Sequence, residues 1–216
     1  MDILIVGGGA ALAESLIDHY LSSPDNRVAV VCRKTLPAQR YLSRVLVYRH
    51  VEDVPNYLDL LITLPGHVDN APLIEMTDGQ WNSVVNATLT VPFQALRRLL
   101  PVMRPNSNVV VVGSIAGKLG GRGCANYAAA KAGLVGLVSA AANENLDRGI
   151  CINLLELGYI YAGMGAGLSE ALRHKIMHTI PLRRFGDVQD FVLAIEFLSR
   201  TRYMSGGILT LAGGLR

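Results

Sequence analysis

Three side chains suited to proton transfer lie close together in the sequence. Tyr127 and Lys131 stand four residues apart in Tyr-Ala-Ala-Ala-Lys, and Ser114 precedes Tyr127 by thirteen residues. Side chains at positions i and i+4 share one face of a helix. A phenol with its ordinary pKa near 10 is a weak acid at neutral pH, and a nearby ammonium favours the ionised form. We therefore expect Tyr127 to donate a proton, Lys131 to lower its pKa and Ser114 to hold a carbonyl oxygen.

Taken alone, the spacing is weak support for catalysis. A helix can carry this pair by chance, with Tyr127 packed and Lys131 reaching solvent along its aliphatic stem. The surrounding elements decide between the two interpretations.

Strand-like and helix-like segments alternate along the chain. Apolar runs predict seven strands, at residues 3–6, 28–32, 45–48, 58–64, 109–112, 150–155 and 207–211. Helical patterns predict four main helices, at residues 11–21, 78–103 (with a kink at Pro92), 127–145 and 188–199. With the glycine-rich turn that begins at Gly7, this alternation predicts an α/β fold: one Rossmann-like domain over residues 1–216, with a doubly wound parallel sheet and helices on both faces.

Composition limits the class of protein. Of the 216 residues, 50% are hydrophobic and 17% are charged, which is typical of one globular domain. There is no apolar run of the length a bilayer requires and no basic leader, so we expect a cytoplasmic protein without a membrane segment. The net charge of +3 comes from scattered basic pairs without interleaved aromatic residues, which argues against nucleic-acid binding.

The cysteines predict neither a disulfide framework nor a metal centre. Cys32, Cys124 and Cys151 are odd in number and far apart, so we expect no zinc site. Cys32 and Cys151 lie in apolar runs, which favours core packing. Cys124 lies three residues before Tyr127, and a packing role is favoured there over a reactive one.

Together these segments resemble the short-chain dehydrogenase/reductase family over essentially the whole chain, most closely bacterial 3-oxoacyl-(acyl-carrier-protein) reductases. The specific segments are the Ser114, Tyr127 and Lys131 spacing, and residues 125–134, 147–153, 181–186 and 206–214. The resemblance implies that NAD(P)H gives a hydride to a ketone while Tyr127 supplies the proton. It implies also that Lys131 binds the nicotinamide ribose and that Thr88, in place of the family's asparagine, is a fourth catalytic residue.

The resemblance further implies a set of cofactor-binding residues near the ends of the strands: Gly7, Gly9, Ala11, Leu12, Arg33, Lys34, Leu64, Pro65, Gly66, Tyr127, Lys131, Gly158 and Ile160. Ala11 and Ala13 replace family glycines, and Ala162 replaces a threonine. An acid after strand two favours NAD, whereas a base accommodates the 2′-phosphate of NADP. Since Cys32 is followed by Arg33 and Lys34, we predict NADP(H); a plain surface pair of basic residues is the alternative.

The chain is short between strands two and four, so we expect one or both of the family's helices there to be truncated. His50 stands near the position of an adenine-contacting aspartate. Asp53 is a possible substitute, and a solvated loop carboxylate is the alternative.

Residues 158–186 correspond to the family's substrate lid, with a helix at residues 168–177. Its apolar side chains could line an acyl entrance or pack on their own domain. Its basic residues, with Arg148 and Arg104 at or beside docking positions, suggest an acidic acyl-carrier protein, although a solvated basic face is equally consistent. The resemblance also implies a homodimer or homotetramer through the two long helices.

Three hypotheses follow. The first is an NADPH-dependent 3-ketoacyl reductase that acts on carrier-bound acyl chains in fatty-acid or secondary-metabolite synthesis. The second is a reductase or dehydrogenase of a free small ketone or alcohol. The third is a catalytically weak subunit of a mixed oligomer, suggested by the changes around the cofactor.

Overall fold

The protein is described by a computed structural model covering residues 1–7, 11–32, 37–54, 57–163 and 165–216. Within these ranges, seven strands form one parallel sheet in the order β3-β2-β1-β4-β5-β6-β7. The strands are β1 Asp2–Val6, β2 Arg27–Val31, β3 Leu46–Tyr48, β4 Leu58–Thr63, β5 Met103–Ser114, β6 Cys151–Leu157 and β7 Ile208–Leu211. The predicted fold class is confirmed, and each predicted strand has its counterpart.

Helices cover both faces of the sheet. They are α1 Ala11–Leu21, α2 Asp78–Val85, α3 Val91–Leu99, α4 Ala116–Leu119, α5 Ala125–Asn143, α6 Glu170–Thr179 and α7 Val188–Arg200. Alternate residues of a strand point to opposite faces. Ile3 and Ile5 accordingly join a core with α1 and α7, whereas Leu4 and Val6 join a second core with α3 and α5.

The predicted long helix is interrupted and ends early. Thr77 caps α2 in a capping box with Gln80, as expected. A π-helical turn, Asn86–Thr90, then joins α2 to α3. Proline has no N–H, so Pro92 cannot donate to the carbonyl four residues earlier, and the wide turn lies at this point in place of a simple kink. After the 3₁₀ turn Leu100–Val102, the chain enters β5 at Met103, much earlier than the apolar run predicted.

The region between β2 and β4 is short, as expected. Its described helical pieces are two 3₁₀ turns, Gln39–Tyr41 and Val51–Asp53, on either side of β3. None of the helices in the described ranges has the length and apolar character needed to cross a membrane.

Candidate active site

The strand order creates a crevice at one edge of the sheet. The chain winds outward from β1 to β2 and β3 on one side and from β4 to β7 on the other, so the switch point lies between β1 and β4. Ligands of doubly wound sheets bind outside the carboxyl ends of the strands at such a point. Gly7, Leu64, Ser114 and Gly158 all lie at this edge, each at or directly after the end of its strand.

Ser114 and Tyr127 are brought together, as their types and spacing predicted. Ser114 is the last residue of β5 and lies opposite Leu157 of β6. Its Oγ accepts a hydrogen bond from the backbone N–H of Ala116 at 3.2 Å. Burial raises the pKa of Tyr127 above its ordinary value of 10, and a side-chain hydrogen bond with Ser114 opposes that rise. The phenol is therefore protonated at neutral pH.

Lys131 lies one helical turn from Tyr127 and is 3% exposed. Its Nζ donates to the carbonyls of Pro65, at 2.8 Å, and Val112, at 3.0 Å, and stands 5.6 Å from the centre of the Tyr127 ring. Burial disfavours the charged amine and lowers the pKa of Lys131 to about 7. The expectation that Lys131 lowers the pKa of Tyr127 is thus not met here: the phenol's pKa is raised, and the amine is itself only partly charged at neutral pH.

Thr88 lies in the π turn, fully buried. Its Oγ1 is a buried hydroxyl for which the described residues provide no hydrogen-bond partner. Its carbonyl is the one to which Pro92, which has no N–H, cannot donate. π turns interrupt helices at functional sites more often than elsewhere.

Asn126 holds the start of the Tyr127 helix and was not singled out from the sequence. It is fully buried, and its Nδ2 donates to the backbone carbonyls of Asp69 at 3.0 Å and Gln80 at 3.3 Å. Its Oδ1 accepts from the N–H of Tyr127 at 2.8 Å. Asn126 therefore fixes the first turn of α5 to α2 and to the loop after β4. Its short polar side chain at the start of a helix was the available signal.

A second group missed by the sequence is a charged pair beneath the loop after β5. Lys118 Nζ lies 2.7 Å from Glu156 Oε2, and the same oxygen accepts a hydrogen bond from Thr210 Oγ1 at 3.1 Å. Glu156 is 2% exposed and is the one charged residue of β6. The pair ties α4, which begins two residues after Ser114, to β6 and β7.

The first turn is shaped by a close backbone approach. Gly7 has φ +99°, and a Cβ there would lie 2.8 Å from the Leu64 carbonyl oxygen, so only glycine fits without strain. Ala11 begins α1, whose exposed N–H groups attract anions, and Leu12 packs its side chain against the core. Gly9, Arg33 and Lys34 lie outside the described residues.

The segments after β4 and β6 border the same crevice. A Cβ on Gly66 would meet open space, whereas one on Gly158 would lie 2.7 Å from Ala212 Cα. Ile160 is buried and forms a parallel bridge with Gly186, and its carbonyl accepts a hydrogen bond from the N–H of Ala162 at 2.8 Å. The segment then passes the start of α1, since a Cβ on Gly163 would lie 3.8 Å from the Ala11 Cβ.

The two arginines considered for carrier-protein docking lie elsewhere. Arg148 donates to the carbonyls of Leu100 at 2.7 Å and Met103 at 2.6 Å. Arg104 pairs with Asp2 and Asp59. These contacts are at the amino ends of the strands, opposite Ser114, so within one chain neither arginine borders the candidate site.

A doubly wound parallel sheet with a crevice at the carboxyl ends of its strands defines the class of Rossmann-like dinucleotide-binding folds. Comparison with known proteins places the chain within that class. Residues 44–216 match the family model described as Enoyl-(Acyl carrier protein) reductase. The chain belongs to the short-chain dehydrogenase/reductase family, as the sequence predicted.

Curated relatives and solved structures agree with this assignment. The chain is 33% identical over 162 residues to the 3-oxoacyl-(acyl-carrier-protein) reductase FabG of Staphylococcus epidermidis and 32% identical to that of Escherichia coli K12. Each alignment covers 73% of this chain and 66% of the relative, so the chain spans slightly less than two thirds of those proteins. A short-chain dehydrogenase/reductase from Serratia marcescens (20% identity, TM-score 0.87, 99% of this chain and 97% of that one) and a levodione reductase (22%, 0.88, 99% and 96%) share the fold.

Proposed function

We propose that this protein is an NADP(H)-dependent ketoreductase that reduces a 3-ketoacyl thioester. The observation that carries the proposal is the Tyr127 phenol, hydrogen-bonded to Ser114 and one helical turn from the buried amine of Lys131, at the carboxyl edge of the sheet. The names of the curated relatives support the substrate class.

The residues at this edge fit a dinucleotide. Gly7 permits a close backbone approach between the ends of β1 and β4, and α1 offers its first N–H groups directly beyond that turn. Lys131 directs its amine at the loop after β4, where it can reach a ribose hydroxyl. Pro65, Gly66, Gly158 and the backbone of Ile160 would border the bound nucleotide. When bound, the cofactor supplies the hydride.

The protein's own groups would donate the proton to the substrate and then restore it. Tyr127, with a raised pKa, holds its proton at neutral pH and donates it to the substrate oxygen as negative charge develops there. Ser114 Oγ orients the same oxygen. A lysine with a pKa of about 7 can accept and release a proton at neutral pH, so Lys131 can restore the proton of Tyr127. The buried Thr88 hydroxyl, which has no partner among the described residues, would be a further relay group.

The activity test is oxidation of NADPH with acetoacetyl-coenzyme A, a soluble 3-ketoacyl thioester. Replacement of Tyr127 by Phe should lower kcat by about 100-fold or more, since general acid catalysis contributes roughly that much. Tyr203→Phe is the matched control, because Tyr203 is fully exposed and precedes β7 at the opposite edge. Equal turnover by the Tyr127 variant and the wild type would exclude the mechanism.

Two alternatives are separated by the same assay. Turnover of free ketones but not of thioesters would favour a small-molecule reductase. Cofactor binding without turnover of either class would favour a weak subunit of a mixed oligomer, as the alanines at positions 11 and 13 suggest.

We further propose that the protein is a homodimer or homotetramer, because Trp81 and Phe93 on the α2–α3 segment are 40% and 41% exposed. Sedimentation analysis tests this.

A further inference from the structure

A short helix follows the strand that ends at Ser114. This helix, α4, begins two residues after Ser114, and the N–H of its first residue, Ala116, donates to Ser114 Oγ at 3.2 Å. The linking residue, Ile115, donates its own N–H to the Leu157 carbonyl at 2.9 Å. Because the Ser114 hydroxyl accepts from α4, a movement of α4 relative to the sheet would displace that hydroxyl.

The contact between α4 and α5 is close but smooth. A Cβ on Gly117 would lie 2.8 Å from the backbone nitrogen of Ala132 and 3.0 Å from the carbonyl carbon of Lys131, so the two helices meet backbone to backbone. A glycine permits this approach but has no side chain to interlock with its neighbour. None of the four residues of α4 is buried, so the helix also lacks an apolar anchor of its own.

A buried charge holds α4 to the sheet. Lys118 Nζ lies 2.7 Å from Glu156 Oε2, and Thr210 Oγ1 donates to the same oxygen at 3.1 Å. Glu156 lies opposite Gly113 of β5 and opposite Thr210 of β7, so the register of three strands sets its place. A carboxylate that is 2% exposed is costly to leave without a paired cation, and Lys118 supplies that cation.

We propose that Lys118 and Glu156 are positioning residues for Ser114; this rests on the proposed ketoreductase activity. The pair fixes α4 to the strands, and α4 in turn fixes the hydroxyl that orients the substrate oxygen. The carboxylate belongs to a rigid strand and the ammonium to the mobile partner, the short helix, so the charge pair supplies the side-chain anchor that Gly117 does not. The pair would affect catalysis only through Ser114.

The test is steady-state reduction of acetoacetyl-coenzyme A by the full-length protein with NADPH. A displacement of about 1 Å can cost roughly 100-fold in rate, and the Ile115 hydrogen bond limits the movement, so Lys118→Met should lower kcat by about tenfold. The KM for NADPH should change by less than about twofold, since the pair acts on the substrate oxygen. Lys118→Arg should restore most of kcat, because a guanidinium keeps the charge and bonds a carboxylate well.

Arg200→Met is the matched control for the loss of an ion pair. Arg200 lies 2.8 Å from Glu196 on α7, and its side chain is 72% exposed. The deletion is of the same chemical kind but lies outside the loop after β5, so kcat should stay within about twofold of the wild type.

A second background separates positioning from a general structural effect. Without the hydroxyl, as in Ser114→Ala, the pair has nothing to position, so Lys118→Met should then lower kcat by less than about twofold further. A structural loss that disturbed Tyr127 or the cofactor site would lower kcat by the same factor in both backgrounds.

Each other outcome overturns the proposal. An unchanged kcat in Lys118→Met would leave the pair a stabilising role alone, and an equal loss in the Ser114→Ala background would show that it acts through other residues. Failure of Lys118→Arg to restore activity would show that the charge is not what matters. Thermal melting shows which variants are folded, and Glu156→Gln, which keeps an acceptor for Thr210, replaces Lys118→Met if that variant unfolds.

Failure of the proposed activity is recognised separately. If the wild type reduces no ketone with either NADPH or NADH, that activity falls, and hydrogen exchange of the α4 amides decides the role of the pair without turnover. Exchange at Ala116 should then be about tenfold faster in Lys118→Met than in the wild type or in Arg200→Met, because α4 opens more often. Equal exchange in all three proteins would overturn the anchoring of α4.

Discussion

Removal of the Lys118 ammonium should destabilise the protein, because Glu156 would keep a buried negative charge. The two groups are 2.7 Å apart, and the carboxylate has Thr210 as a further donor. Lys118→Met keeps much of the side-chain stem while deleting the charge. Glu156 is 2% exposed and cannot turn to water without disturbing β6, whereas the Lys118 side chain is 48% exposed.

The expected loss follows from these exposures. Two unit charges at this distance attract by about 6 kcal/mol at an effective dielectric constant of about 20. Desolvation of Glu156 offsets much of that, and breaking a fully buried pair costs roughly 3–5 kcal/mol. Because Lys118 is half exposed, we expect a loss of about 2 kcal/mol in the free energy of unfolding, or roughly 4–8 °C in Tm.

The assay is urea unfolding of the wild type, Lys118→Met, Glu156→Gln and the double variant. The double variant should be more stable than the sum of the single losses predicts, with a coupling of about 1–2 kcal/mol. Lys175→Met on α6 is the matched control, since Lys175 is exposed, and it should change stability by less than about 0.5 kcal/mol. If Lys118→Met costs no more than this control, or the two losses are additive, the pair does not stabilise the fold and our reasoning is refuted.

Three further changes have defined outcomes. Burial raises the pKa of Asp2, but hydrogen bonds from two arginines outweigh burial and hold that pKa below its ordinary value. The ionised Asp2 therefore stabilises the fold above about pH 4, and this stabilisation is lost as the pH falls further. Asp2→Asn should flatten the acid limb of a curve of unfolding free energy against pH, and an unchanged limb would contradict this. Thr88→Val removes a buried hydroxyl without a partner in the described chain, so unfolding should show equal or slightly greater stability, and a loss above about 1 kcal/mol would show that the hydroxyl is bonded. Gly7→Ala places a Cβ against the Leu64 carbonyl at positive φ, so Tm should fall by an amount equivalent to about 1–3 kcal/mol; wild-type stability would disprove the close approach.

The sequence predicted the central strands well because they are buried on both faces. Strands such as β1 and β4 read as largely apolar runs between turn residues, a local pattern that needs no knowledge of the partner strand. The Ser114 and Tyr127 contact was predictable for a related reason: a strand end and a helix face are both fixed by local geometry. The position of Thr88 was predicted by counting residues along the chain, but its burial and the π turn around it were not predicted.

What the sequence did not predict depends on contacts between distant residues. Lys118 and Glu156 are 38 positions apart, and nothing local shows that a carboxylate in β6 has a cation above it. The position of Arg49 beside Cys32 follows from the register of β2 and β3. The low pKa of Lys131 arises from complete burial, whereas its place on the helix was consistent with a solvent-exposed ammonium.

The π turn of Asn86–Thr90 bears on the insertion and deletion of residues in this helical segment. A wide turn accommodates one residue more than an α-helical turn, so it is equivalent to a single-residue insertion absorbed without breaking the helix. The residues beyond it are shifted in phase, so α2 can contact α5 while Ala95, Leu96 and Leu99 of α3 reach the sheet core. One inserted residue thus orients the contact faces of α2 and α3 differently, and deletion of one residue would restore a single helical phase across both helices.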